Sequence, residues 1–170
     1  MLKMTDIDPV NILVTLILGF LPISEVRGAI PYALIFGGNN SMATSIYVMT
    51  GVIANLLIAP IALSLLSIIE KIIMDERFPV VLRKLYIKIV EIALKKASRM
   101  EKITFASLVL IVGIPLPVTG AWTGSLIAFL LRSDKKKAIA AISLGVLIAS
   151  VIVYLAVYLG ISILKTIFLL

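Results

Sequence analysis

The segment PISEVRGAIP, residues 22–31, interrupts the first apolar stretch of the chain and decides how the fold is interpreted. The twelve residues before it, 10–21, would form a helix of about 18 Å at 1.5 Å per residue. The hydrocarbon core of a bilayer is about 30 Å thick. Because such a helix ends a little past the middle of the membrane, we predict a broken segment here, with candidate breaks at Pro22, Gly28 and Pro31.

A second segment, PLPVTG at residues 115–120, interrupts the apolar stretch 103–131 in the same way, and Pro115 is the candidate break. Two other apolar stretches, 42–69 and 138–168, are continuous. A spanning helix needs about 20 residues, so each of these can cross the bilayer. The sequence therefore predicts two broken segments and two transmembrane helices.

The composition places these stretches in a membrane. Of the 170 residues, 61% are apolar and 15% are charged, against roughly 25% charged residues in soluble domains. The mean hydropathy is +1.18. Three ranges contain no Asp, Glu, Lys or Arg, namely 28–69, 103–131 and 138–164. A soluble domain of this length cannot bury that much apolar surface, so the predicted fold class is an all-α integral membrane protein.

The composition also excludes several kinds of site. The chain contains no Cys and no His, which removes thiolate metal sites, cysteine nucleophiles and the commonest general base. No Gly-rich loop followed by Lys and then Ser or Thr is present,. We expect no enzymatic activity, no metal and no cofactor. The first ten residues lack the cationic region and cleavage site of a signal peptide, so we expect them to remain in the mature chain.

The basic residues predict the topology. Nine of the 16 lie in 70–102 and four lie in 132–137. Four simple crossings would put these two groups on opposite faces, against the preference of Lys and Arg for the cytoplasmic side. Both groups share the cytoplasmic face if the broken segments are re-entrant hairpins. We therefore expect a multi-pass protein of the cell membrane with cytoplasmic basic loops, both termini outside and no bound nucleic acid.

The two halves of the chain resemble each other weakly at an offset of 92 to 94 residues. Gly28 aligns with Gly120, and Gly51 aligns with Gly145. Each half has one crossing helix, so the second copy is inverted, as in many secondary transporters with discontinuous helices. We predict one membrane domain over 1–170, made of repeat 1 (about 8–69), a linker (70–102) and repeat 2 (about 103–170).

The linker contains an amphipathic pattern over residues 78–102. Charged residues recur there every three or four positions, and apolar residues from Val81 to Ile92 occupy the other side. This pattern is typical of a helix that lies in the membrane interface. We predict that it anchors the chain on anionic lipid headgroups, with a regulatory or partner-binding role as the alternative.

Glu25 and Arg27 are the only ionisable residues within the first broken segment. A charged residue at bilayer depth costs roughly 2.5–3.5 kcal/mol on insertion scales. One interpretation is structural: Ser24 caps a half-helix, Glu25 complements its positive end, and Arg27 satisfies Glu25 or loose carbonyls. The other interpretation places both charges at a substrate or proton site.

Two further side chains are candidates on their own chemistry. Asn55 lies in the middle of a predicted crossing helix, where an amide needs a partner, and we expect it to bond a broken backbone or to line a cavity. Trp122 follows the second segment and either stacks on a substrate or packs against neighbouring helices. Thr119 and Gly120 precede it, and the glycine permits close approach to an unwound tip.

The strings Pro22-x-x-Glu25-x-Arg27-Gly28-x-Ile30-Pro31 and Pro115-x-Pro117-x-Thr119-Gly120-Ala121-Trp122 resemble those of the small multidrug export protein family. That family is more distantly similar to DedA-type membrane proteins, which are also built on paired re-entrant hairpins. The resemblance implies export of small molecules, or, through the DedA similarity, movement of polyprenyl-phosphate lipids or phospholipids. The site residues it implies are Glu25, Arg27, Pro117, Thr119 and Gly120.

Three functions follow as alternatives. The first is a secondary transporter that exports small molecules, with Glu25 as the proton-coupling residue and cationic amphiphiles as natural substrates. The second is a translocase in which Arg27 and half-helix N-termini hold an anionic lipid headgroup. The third is a membrane scaffold that transports nothing. Since two crossing helices and two hairpins make a thin wall for a pathway, we expect a homodimer.

Overall fold

The computed structural model describes residues 7–75, 77, 79–99, 105–116 and 119–168. Every regular element within these ranges is a helix, which confirms the predicted all-α class. The eight helices are α1 (Pro9–Phe20), α2 (Glu25–Gly37), α3 (Ser41–Leu56), α4 (Ile58–Met74), α5 (Val80–Arg99), α6 (Phe105–Gly113), α7 (Ala121–Leu130) and α8 (Lys135–Phe168).

The first interruption is shorter than predicted. Helix α1 ends at Phe20 and α2 begins at Glu25, and α2 then continues through Gly28 and Pro31 to its end. A proline inside a helix removes one backbone hydrogen bond and does not have to end the helix. The first break is therefore residues 21–24, and neither Gly28 nor Pro31 interrupts the helix.

Within the described residues, two segments are long and apolar enough to cross a membrane, Ser41–Met74 and Lys135–Ile163. The first consists of α3 and α4, which are separated only by a turn at Leu57. Pro60 lacks the N–H that would bond one turn back, which accounts for this interruption. Helices α1 and α7 are apolar but shorter. With this composition, the chain is a membrane protein.

Glycine permits close helix contacts between α1 and α3 and between α6 and α8. A Cβ on Gly19 of α1 would overlap the carbonyl oxygen of Gly51 in α3. A Cβ on Gly145 of α8 would lie 2.9 Å from the carbonyl oxygen of Val109 in α6. Gly113 of α6 faces Gly145, at a distance where a Cβ would make an ordinary contact of 3.5 Å with the Gly145 carbonyl oxygen.

The core lies where α2, α3, α4, α6, α7 and α8 meet, and Ile30, Ile58 and Ile142 are fully buried in it. Helix α5 contributes little to it, since Val81 and Leu85 are exposed by 78% and 54%. This helix lies within the predicted amphipathic segment 78–102. Residues 78 and 100–102 of that segment are outside the described ranges.

Candidate functional site

The N-terminus of α7 lies against the side chain of Glu25, at the start of α2. The Ala121 N–H points at Oε2 and the Trp122 N–H at Oε1 of this carboxylate, both at 3.4 Å. Glu25 is only 4% exposed. A carboxylate is favoured at a helix N-terminus, where the backbone N–H groups are open and the helix dipole is positive.

Arg27, on the first turn of α2, reaches the second break, residues 114–120, of which the structure describes 114–116 and 119–120. Its guanidinium donates to the carbonyl oxygens of Leu116 and of Thr119, the latter at 2.7 Å. Its Nη2 also lies 3.6 Å from Oε2 of Glu25. Carbonyls at a break in a helix have lost their intrahelical donors and need other partners. Arg27 therefore satisfies both the carboxylate and the loose carbonyls.

Ser24 does not act as the predicted cap. Its side chain makes no hydrogen bond to the first turn of α2, and its hydroxyl donates instead to the carbonyl oxygen of Leu18 in α1. The carboxylate of Glu25 complements the positive end of α7, 96 residues away, not that of its own helix. The structural interpretation of Ser24 and Glu25 therefore assigned the wrong partner to each residue.

The four carbonyls that α1 leaves open at its C-terminus all have donors. Leu21 N–H donates to Ile17 at 2.9 Å, and Ser24 bonds Leu18. Asn55 Nδ2, from α3, donates to the Gly19 carbonyl at 3.0 Å, and Trp122 Nε1, from α7, donates to the Phe20 carbonyl at 2.9 Å. A helix end without water needs such partners. Asn55 thus bonds broken backbone, as one of its two predicted roles required.

Trp122 also packs its ring edge-on against Phe20, with the ring centroids 5.6 Å apart. Its indole at the same time lines the cleft between the two breaks. Of the two predicted roles of Trp122, the structure shows the packing against neighbouring helices, and stacking on a substrate stays a prediction.

Two residues around the carboxylate have a positive φ. Glu25 has φ +49°, which is uncommon for a residue with a side chain and costs about 1–3 kcal/mol,. Gly120 has φ +149°, a conformation that glycine adopts freely and that other residues rarely adopt,. A Cβ on Gly120 would overlap the Glu25 carboxylate. Gly120 is therefore required by both its backbone conformation and the space that Glu25 fills.

A cleft of about 690 Å³ opens beside these contacts. Arg27 is the charged side chain among its lining residues, whereas Glu25 lies behind it. The cleft is lined by Pro22, Ile23, Ser24, Arg27, Gly28, Pro115, Trp122 and Thr123.

The structure brings six of the seven predicted site residues together, and we call them the central cluster. Pro117 lies outside the described residues. Of the predicted breaks, Pro22, Gly28 and Pro115 line the cleft, whereas Pro31 lies within α2 and does not. The members of the central cluster are Glu25, Arg27, Asn55, Thr119, Gly120 and Trp122.

Sequence reasoning missed the backbone of Phe20 and Leu116 as partners and the cleft residues Ile23 and Thr123. A signal was present, because a helix that stops at Pro22 must leave four carbonyls open. In the described part of the chain, no three Asp, Glu, His or Cys side chains are grouped so that they could hold a metal ion.

Comparison with known proteins identifies one family. Residues 25–152 match the profile of the family described as "Putative small multi-drug export protein". This range includes both the Glu25 and the Trp122 sides of the central cluster. No curated protein and no solved structure shows significant similarity to the chain.

Proposed function

The chain belongs to the small multi-drug export protein family, and we propose that it is a secondary transporter that exports small molecules through the cleft beside Glu25. The observation that carries this proposal is a buried carboxylate held between two broken helices. Intramembrane ionisable residues are costly and commonly mark substrate or ion pathways. Discontinuous helices whose ends meet are the usual binding-site architecture of secondary transporters.

The proposed architecture is a pair of re-entrant hairpins and two crossing segments in an inverted repeat. Helices α1 and α7 have 12 and 10 residues, fewer than the about 20 that a crossing needs. Gly19 faces Gly51, and Gly113 faces Gly145 at positions 94 residues later in the chain, which supports the repeat.

With this architecture, both basic segments lie on the cytoplasmic side of the cell membrane and both termini lie outside, in a multi-pass chain. The exposed apolar residues of α5, such as Val81, Leu85 and Ile89, support a position on lipid headgroups, because the same helix carries the basic side chains Lys84 and Lys88,. We also propose a homodimer, because two crossing segments and two hairpins of a single chain make a thin wall for a transport pathway.

Proton coupling follows from the surroundings of Glu25. The ionised carboxylate attracts Arg27 and the N-terminus of α7, and protonation weakens both attractions. The amide of Asn55 neighbours the same carboxylate. Uptake of a proton therefore loosens the contact between Glu25 and the N-terminus of α7.

The cleft suits a molecule of drug size, since ligand pockets commonly have volumes of about 300–1,000 Å³. Its apolar walls include Pro22, Ile23 and Trp122. A cationic amphiphile reaches Glu25 only if Arg27 moves away from it, so release of Arg27 by the proton or by the substrate is part of the proposed cycle. Neutral and anionic amphiphiles need no such displacement.

A second candidate function, translocation of anionic lipids, is favoured by one observation. The charged side chain that faces the cleft is Arg27, whose guanidinium is suited to a phosphate group. In this function the carboxylate of Glu25 positions Arg27 and carries no proton.

The Glu25→Gln variant separates the two candidates. In proteoliposomes with an imposed proton gradient, export of a fluorescent amphiphile should fall by at least tenfold, because the amide cannot exchange a proton. The matched control Glu91→Gln, at an exposed position of α5, should retain export. Full proton-driven export in Glu25→Gln would contradict the transporter proposal. Absence of amphiphile export in the wild-type chain, together with flipping of an anionic lipid that Glu25→Gln retains, would favour the translocase.

A further inference from the structure

A second charged cluster lies at the opposite end of α7. Arg132 follows the helix directly, and its guanidinium donates to both carboxylate oxygens of Glu70 in α4, at 2.7 Å for Nη1 to Oε2. The Tyr86 hydroxyl of α5 donates to the same carboxylate at 3.0 Å. The guanidinium also lies over the Phe129 ring, 5.7 Å from its centroid. We call Glu70, Tyr86 and Arg132 the Glu70 cluster.

The backbone at Arg132 shows that this contact is specifically placed. The chain closes α7 with bonds from Arg132 N–H to Phe129 and from Ser133 N–H to Ala128, a C-terminal motif whose positive-φ position is usually glycine. Arg132 occupies that position with φ +54°. The bidentate bond to Glu70 fixes the orientation of this guanidinium. The hydrogen bond to Glu70 also raises the pKa of Arg132.

Helix α7 connects the Glu70 cluster to the central cluster. Its ten residues contain no charge and span about 15 Å. At its N-terminus it contacts Glu25, and at its C-terminus Arg132 contacts Glu70. Two different elements, α2 and α4, therefore hold the two ends of one short and rigid helix.

We infer that the Glu70 cluster positions α7 for its contact with Glu25, so that each of the two clusters stabilises the other. When one end of a rigid element is held, the other end is present at a high effective concentration near its own partner. The coupling must act equally in both directions. The inference rests on the proposed function, because it names what regulates the proposed transport site. Glu70, Tyr86 and Arg132 are positioning residues, since they act on that site through α7.

The test uses the absence of native cysteines. Thr123→Cys places a thiol in the cleft at the Glu25 end of α7, and Ser133→Cys places one just beyond the Glu70 end. The rate of reaction with N-ethylmaleimide is measured in purified protein in lipid nanodiscs. Arg132→Gln should raise the rate at position 123 by about fivefold or more, and Glu25→Gln should raise the rate at position 133 by a similar factor.

Two controls separate coupling from general damage. Lys136→Gln removes the same charge from the first turn of α8 and should leave both rates unchanged. The charge exchange Glu70→Arg with Arg132→Glu should restore the slow rate at position 123, which general destabilisation would not allow. If Arg132→Gln does not fold, Tyr86→Phe keeps the ion pair and should raise the rate by a smaller factor.

Unchanged thiol reactivity at both positions would overturn the inference. That result leaves the transport proposal standing, because export by the wild-type chain does not enter the measurement. Conversely, failure of Glu25→Gln to reduce export, with reciprocal changes in reactivity, would overturn the transport proposal and retain the coupling.

Discussion

The two breaks solve the same problem with opposite chemistry. The first break, residues 21–24, is followed at once by two charged side chains, Glu25 and Arg27. The second break, residues 114–120, contains no charge, and in its described part the groups that meet the first break are backbone groups, the carbonyls of Leu116 and Thr119 and the N–H groups that open α7. Each charged side chain of one meets the open backbone groups of opposite polarity in the other.

This difference explains how a buried charged pair is tolerated without a second charged pair to match it. A charge removed from water must find hydrogen-bonding partners, and a broken helix inside a membrane must find partners for its open backbone. Joining the two breaks satisfies both needs. Four substitutions test this joining, from the largest expected effect to the smallest.

Gly120→Ala should destabilise the protein most, by about 3 kcal/mol or more, because it combines a strained φ with overlap against Glu25. The measurement is thermal unfolding in detergent. Gly38→Ala has a positive φ but open space around it, and Gly160→Ala has open space and no positive φ. The three losses should therefore decrease in the order 120, 38, 160. Equal losses at positions 120 and 38 would show that Glu25 does not fill the space.

Arg27→Ala should cost about 2–3 kcal/mol, since it leaves the Thr119 carbonyl without this donor and the Glu25 charge without compensation, whereas the Leu116 carbonyl keeps the hydroxyl of Thr119 as a donor,. The guanidinium is partly exposed, with 21% of the side-chain surface accessible, which keeps the loss below that of a fully buried pair. Chemical denaturation gives the free energy of unfolding. Arg77→Ala, at an exposed position, is the control. A loss of stability no larger than that of the control would show that Arg27 does not stabilise the second break.

Asn55→Leu should cost about 1.5 kcal/mol, because the Gly19 carbonyl loses its donor in a fully buried place,. Removal of the unpartnered Oδ1 atom offsets part of this loss. Ser125→Ala is the comparison: Ser125 is equally buried, but its hydroxyl bonds only the preceding turn of its own helix. Thermal unfolding should show the larger shift for Asn55, and the reverse order would contradict its role at the end of α1.

Trp122→Phe should cost about 1 kcal/mol, the net contribution of one hydrogen bond. A phenylalanine keeps the aromatic contact with Phe20 and loses only the bond from Nε1 to the Phe20 carbonyl. Tyr154→Phe, in a stacked pair on α8, removes a hydroxyl of a half-buried ring and should change stability by less than about 0.5 kcal/mol. Equal losses of stability for the two variants would mean that the hydrogen bond from Trp122 Nε1 contributes nothing to stability.

Much of this fold could be predicted from the lengths of the apolar segments and from the free-energy cost of placing charges in lipid. Twelve apolar residues before Pro22 are too few to cross a membrane, and Glu25 and Arg27 are too costly in lipid to be incidental. These arguments single out the residues of the central cluster. They also predict that the open backbone must be satisfied.

The partners could not be predicted, because a hydrogen bond between distant segments leaves no local pattern. Trp122 bonds the carbonyl of Phe20, 102 residues earlier, and nothing in either position indicates the other. Pro31 was taken for a break because a proline is disfavoured inside a helix, yet packing keeps α2 continuous. Glu70 and Arg132 had the sequence context of ordinary solvent-facing charges at the ends of apolar stretches.

The most direct test of the account is the distance between the two breaks. Spin labels are attached through Ile23→Cys and Leu116→Cys, which are both exposed positions, in a chain that has no other cysteine. Because Arg27 is about one helical turn from residue 23 and bonds the carbonyl of Leu116, the labels should lie within about 20 Å of each other. Double electron–electron resonance in nanodiscs measures this distance. A value of about 30 Å or more, the thickness of the hydrocarbon core, would place the breaks at opposite surfaces and contradict their meeting at one site.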